Sequence, residues 1–136
     1  MYLSDFFKIA HDGLIEGISY QGKDQLTLYL RLKSETKFRL IFSGVLECRV
    51  VDFGMQNIIS RILVFQDESH NDEDILKVLN WVSSDVDSSS YLTEDKSDQI
   101  FNKIKYGDLK LIYLEPSIGA ECAILFKNCI VESIDG

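Results

Sequence analysis

The side chains most able to do chemistry crowd into residues 65–75, FQDESHNDEDI, where five of eleven residues are carboxylates and none is Lys or Arg. Clustered carboxylates can bind a hard cation, complement the positive end of a helix, or meet a basic surface. A calcium loop needs oxygen ligands at alternate positions, Gly at the sixth and Glu at the twelfth. Counted from Asp67, those positions hold Asp72 and Val78; counted from Asp85, they hold Ser90 and Lys96. Neither run fits, so no metal site is expected. His11 and Asp12 are the other pair of interest, since a His–carboxylate couple can act as a base with its orienter. Neighbours on a strand point to opposite faces, however, and Asp12-Gly13 is turn chemistry. The pair is read as polar residues fixing the start of the first strand. His70, alone among acids, is assigned to a loop. No Gly-x-Ser-x-Gly, Walker or Gly-x-Gly-x-x-Gly pattern occurs, so neither a catalytic residue nor a cofactor is expected.

Charge distribution says more than any motif. Net charge is −8, which disfavours nucleic acid and anionic membranes and favours basic partners. Between Gln66 and Asp98 stand ten acids and only Lys77 and Lys96; the remaining twelve acids and twelve bases balance. All of the net charge therefore sits in about a quarter of the chain. The candidate partner-binding residues are Asp67, Glu68, Asp72, Glu73, Asp74, Asp85, Asp87, Glu94 and Asp95. A solvated face usually mixes both signs, whereas a segregated field speeds encounter with a basic protein.

The elements that must carry this segment follow from periodicity. Leu26, Leu28, Leu30 and Leu32 alternate with Thr27, Tyr29, Arg31 and Lys33, the mark of a strand with one buried face. With the β-like run before it and the turn residues Gly22-Lys23-Asp24, residues 14–32 predict a hairpin. Phe38, Leu40 and Phe42 continue the alternation, and Gly44 marks a bend in a long run that extends to residue 53. Residues 56–66 predict a fourth, more central strand. Ile75, Val78, Leu79 and Val82 then recur at helical spacing behind an Asn71 or Asp72 cap. Ile100, Phe101 and Ile104 predict a second helix ended by Gly107, and two further β-like runs close the chain. Trp81 lies near the first helix stripe and is read as a core or rim residue, the alternative being an interface anchor beside Asp85 and Asp87. The expected fold is a single α+β domain over residues 1–136: a curved, mainly antiparallel sheet of about six strands, with two helices inserted after the fourth. Cys48, Cys122 and Cys129 form no Cys-x-x-Cys pair and are read as small apolar residues in a reducing cytoplasm. No run is long enough to span a bilayer, and the first residues lack the basic and apolar regions of a secretory signal.

The His-Asp pair, the short strand, turn and Leu-alternating strand that follow, then Phe42, Gly44, Val45 and Asn57, Ile58, Ile59, resemble small bacterial immunity proteins of polymorphic toxin systems. The resemblance covers residues 11–65. It implies a cytoplasmic antidote that binds and neutralises a cognate, basic toxin domain, and it assigns no contact residue. Two other classes are compatible with the sequence: a small-ligand or regulatory domain, and a small enzyme using His11, Asp12 and Glu16.

Overall fold

Thirteen residues into the chain the backbone enters a sheet that coils around a core of its own. The computed structural model describes residues 1–85 and 90–134. In chain order the elements are α1 (Leu3–Ile9), β1 (Leu14–Gly22), β2 (Gln25–Arg31), β3 (Lys37–Ser43), β4 (Glu47–Val51), β5 (Ile58–Phe65), α2 (Asp72–Val82), α3 (Glu94–Lys105), β6 (Lys110–Ile118), β7 (Glu121–Phe126) and β8 (Asn128–Ile134). The eight described strands form one sheet in the order β4-β7-β6-β5-β1-β2-β3-β8, every neighbour antiparallel. The sheet is not closed.

The Leu alternation does what period two demands. Leu26, Leu28, Leu30 and Leu32 are all buried, and across the β2–β3 ladder the first three meet Phe42, Leu40 and Phe38. Edge-to-face pairs of Phe42 with Phe126 and of Phe6 with Phe38, centroids 4.8 and 5.1 Å apart, tie this inner core together. Register shifts in β1 near Gly17 and in β5 near Ile59 add the twist that lets the sheet curl.

Two corrections to the expected architecture have physical causes. The sheet has eight strands where about six were expected, because two long β-like runs each break in two. Gly44, at φ 64°, turns the corner between β3 and β4, and Lys127 does so between β7 and β8. The two breaks face each other: an added Cβ at Gly44 would lie 2.7 Å from the Lys127 side chain. The helices number three, not two. α1 has no side-chain cap to announce it, but Leu3, Phe6, Phe7 and Ala10 follow helical spacing, and Phe6 and Ala10 are fully buried in the inner core. The remaining two helices follow the fifth strand, Ile58–Phe65, and not the fourth, because the run broken at Gly44 makes two strands before it.

β5, β6 and β7 are buried on both faces. Ile62, Val64, Ile112, Leu114, Ile124 and Phe126 point into the inner core. Phe65, Leu111, Ala123 and Leu125 point outward into a second core with Ile75, Val78, Leu79, Val82, Ile100 and Ile104 of α2 and α3. The helices thus form an outer layer on one part of the sheet.

A buried side chain pins the end of the sheet where β1, β5 and β6 meet. Asn57 Oδ1 accepts from the Gly54 and Ala120 amides at 2.9 and 3.1 Å, and its Nδ2 donates to the Gly54 carbonyl at 3.0 Å. Gly119 at φ 82° sits so close that an added Cβ would fall 2.2 Å from the Gln56 carbonyl oxygen. Removing Asn57 would strand the buried Ala120 amide without a partner. Asn57→Ala is expected to lower unfolding free energy by about 2–3 kcal/mol, read by urea denaturation. Met55→Ala, at a fully exposed position of the same loop, should change it by less than about 0.5 kcal/mol.

Candidate functional site

The outer face of β5–β7 changes character along its length. Register places Phe65 beside Leu111 and Leu111 beside Leu125, then Leu63 beside Tyr113 and Tyr113 beside Ala123, then Arg61 beside Glu115. The apolar rows lie under α2 and α3. The charged row lies beyond them, joined by Glu121 at the start of β7. Between this row and α2 runs an open groove of about 510 Å³, within the size range of small-molecule sites. Its helix wall follows α2 from end to end, from His70 and Asn71 through Asp74, Val78 and Trp81 to Ser84.

The groove side chains are held by specific contacts. Tyr113 donates its hydroxyl to the Glu121 carboxylate, and Arg61 Nε donates to Glu115 Oε2 at 3.0 Å. The Tyr113 ring meets Trp81 edge-on, centroids 6.1 Å apart. Arg49, from edge strand β4, lays its guanidinium 4.5 Å from the Trp81 ring centroid and donates to the Trp81 carbonyl at 3.0 Å. A cation there also suits the negative end of the α2 dipole. Trp81 is half-buried, a rim residue packed against the outer core with a face toward the groove. At the other end His70 packs its ring edge-on to Phe65, 5.3 Å between centroids, with Nε2 3.5 Å from Asp67 Oδ1.

The segregated acids do not make one patch. Asn71 caps α2, accepting from the Glu73 and Asp74 amides, and Thr93 caps α3. Asp72, Glu73 and Asp74 therefore occupy the first turn of α2, and Glu94 and Asp95 the first turn of α3, where the helix dipole favours them. The Tyr91 amide donates to the Ser83 carbonyl, so the chain re-enters α3 near the end of α2. Lys105 at the end of α3 pairs with Asp72 at the start of α2, 3.1 Å apart. The two helices thus run antiparallel, and the acids fall at opposite ends of the pair, about 16 Å apart at 1.5 Å per residue of α2. Asp67, Glu68 and Asp72–Asp74 stand at one end. Asp85, Glu94 and Asp95 stand at the other, with Glu47 of β4, whose carboxylate accepts from Tyr91. Asp87 lies outside the described residues. Asp67 accepts from both the hydroxyl and the amide of Ser69, which hold its carboxyl below the usual aspartate range.

His11 and Asp12 lie in the turn after α1, not in a strand, so the opposite-faces argument does not apply to them. Their side chains approach to 3.5 Å and are 69% and 45% exposed, and His11 Nδ1 reaches the Ser60 carbonyl. Glu16 instead faces Arg31, 3.4 Å away. Among the described residues no group of three or more His, Cys, Asp or Glu side chains could hold a metal ion, and no helix is long and apolar enough to cross a membrane. No protein-family model matches the chain, and no curated protein or solved structure matches it either.

The groove residues Arg61, Tyr113, Glu115 and Glu121 escaped sequence reasoning. They belong to the part of the chain whose charges balance, so counting acids passes over them. The usable signal was parity. Arg61, Leu63 and Phe65, like Glu115, Tyr113 and Leu111, run from charged to apolar on one face, as a partly covered strand must.

Burial, reinforced by the hydrogen bond to Glu121 and by the Glu121 and Glu115 charges, pushes the Tyr113 hydroxyl far up. Burial and Glu47 push Tyr91 to about 12 from the ordinary 10.0. A raised folded-state pKa contributes stability that is intact below the unfolded value and is lost as pH climbs toward the folded one. Stability should therefore fall from about pH 10 upward. In an absorbance titration of the phenolates Tyr91 should ionise near pH 12 and Tyr113 after it. Tyr113→Phe should remove the latest step and flatten the alkaline loss.

Proposed function

We propose that this chain is a protein-binding module that takes a basic polypeptide on its α2–α3 side, acting as an immunity protein that neutralises a cognate toxin domain in the bacterial cytoplasm. The observation that carries the reading is the charge segregation: ten acids against two bases in residues 66–98, with charge balance elsewhere. The fold lends support by setting the described acids at the two ends of one layer, the helices on the outer face of the sheet. Acids at both ends of that layer steer a basic partner in and reject acidic ones. Inhibition by occlusion requires no catalytic residue in the chain.

The test is capture of the partner with tagged protein from its native cells at low and moderate salt, followed by charge reversal. A basic polypeptide that is toxic when expressed alone and harmless when co-expressed is the expected capture. Reversing Glu68 and Glu73 to Lys at one end, or Asp85 and Glu94 at the other, should slow association about tenfold at low salt. Stability should stay within about 1 kcal/mol, the size of a helix-dipole effect. Association indifferent to salt and to both reversals, in variants that remain folded, would overturn the reading.

A further inference from the structure

Resting on the reading of this chain as a binder of a basic protein, we propose that the groove along α2 seats an arginine side chain of that partner, its guanidinium held between the Trp81 and Tyr113 rings and the Glu121 and Glu115 carboxylates. Position is the first argument. The groove runs the whole length of α2 and joins the two acidic ends, so a basic protein drawn by both ends lies across it. Chemistry is the second. The Trp81 ring already holds one guanidinium, that of Arg49 at 4.5 Å, and Arg49 does not line the groove. Electron-rich rings attract planar cations, and arginine more than lysine adds stacking to charge.

Electrostatic order is the third argument. Tyr113 orients the Glu121 carboxylate by donating its hydroxyl to it. Arg61 is engaged by Glu115 at 3.0 Å, and the lining sets the carboxylates of Asp74, Glu115 and Glu121 against the cations of Arg61 and Lys77, a balance that favours an incoming cation over an anion. The volume of about 510 Å³ leaves room for a side chain with part of its backbone.

The experiment titrates isotope-labelled protein with an acetylated tetra-arginine amide at low salt. It follows backbone amides and the indole N–H of Trp81, the only tryptophan. Saturable shifts of the Trp81 indole and of the amides of Tyr113 and Glu121 are expected. Glu121→Gln, which keeps an acceptor for the Tyr113 hydroxyl, should weaken the peptide about fivefold. Shifts confined to the acidic ends, with Trp81 unmoved, would overturn the groove as the seat and leave the acidic-layer reading standing. Binding of free arginine amide as tightly as the peptide would overturn it in favour of a small-cation pocket. No shift anywhere would overturn it and count against the acidic layer as well.

Discussion

Burial of β5, β6 and β7 on both faces is the constraint from which the rest of the molecule follows. On these strands alternate residues serve different cores. Ile62, Val64, Ile112 and Leu114 fill the curl of the sheet, and Phe65, Leu111 and Leu125 hold the helices. A slip of one residue would exchange the two sets and drive Arg61 or Glu115 into an apolar interior, so the register is fixed from both sides. The groove is a by-product of the same constraint. α2 and α3 cover only the apolar end of the outer face, and the face must turn charged where cover ends. The small Ala123, flanked by Tyr113 and Arg49 in the ladders, keeps that row low enough for Trp81 to lean over it.

Sequence made one-sided features plain and two-sided ones obscure. The Leu alternation of residues 26–32, the stripe of Ile75, Val78, Leu79 and Val82 and the Asn71 cap each carry a local signature, and each has its expected partner in the fold. The run ISRILVF has apolar residues of both parities, which announces a central strand but hides which residues face the helices. The corners at Gly44 and Lys127 were equally hidden. A bend was expected at Gly44, but that the chain breaks its ladder there depends on the facing strand breaking too, which is a tertiary fact. α1 is a different failure: its stripe was present, yet seven residues without a side-chain cap leave little to separate a short helix from a strand approach.

The acids show how local and global roles overlap. Five of them, Asp72, Glu73, Asp74, Glu94 and Asp95, stand in first helical turns, where any helix benefits from negative charge. Asp72 is further engaged by Lys105 and Asp67 by Ser69. Helix electrostatics alone therefore accounts for where those five sit. It does not account for the scarcity of cations among them, since dipole complementarity would equally place Lys or Arg in the last turn of α2, and none is there.

Separation of the two acidic ends bears on how such a surface could choose a partner. About 16 Å along α2 exceeds the screening length of roughly 10 Å at 0.1 M salt. Under those conditions each end acts as its own small field, and only a protein with basic groups of matching separation engages both. Charge alone would still leave many proteins acceptable, because screened attraction has little geometric demand. The ring and carboxylate groups of the groove lie between the two ends and are fixed by Tyr113–Glu121, Arg61–Glu115 and Trp81–Arg49 contacts. On the proposed reading, selectivity beyond charge comes from short-range fit, and the groove between the ends carries ring and carboxylate groups for it.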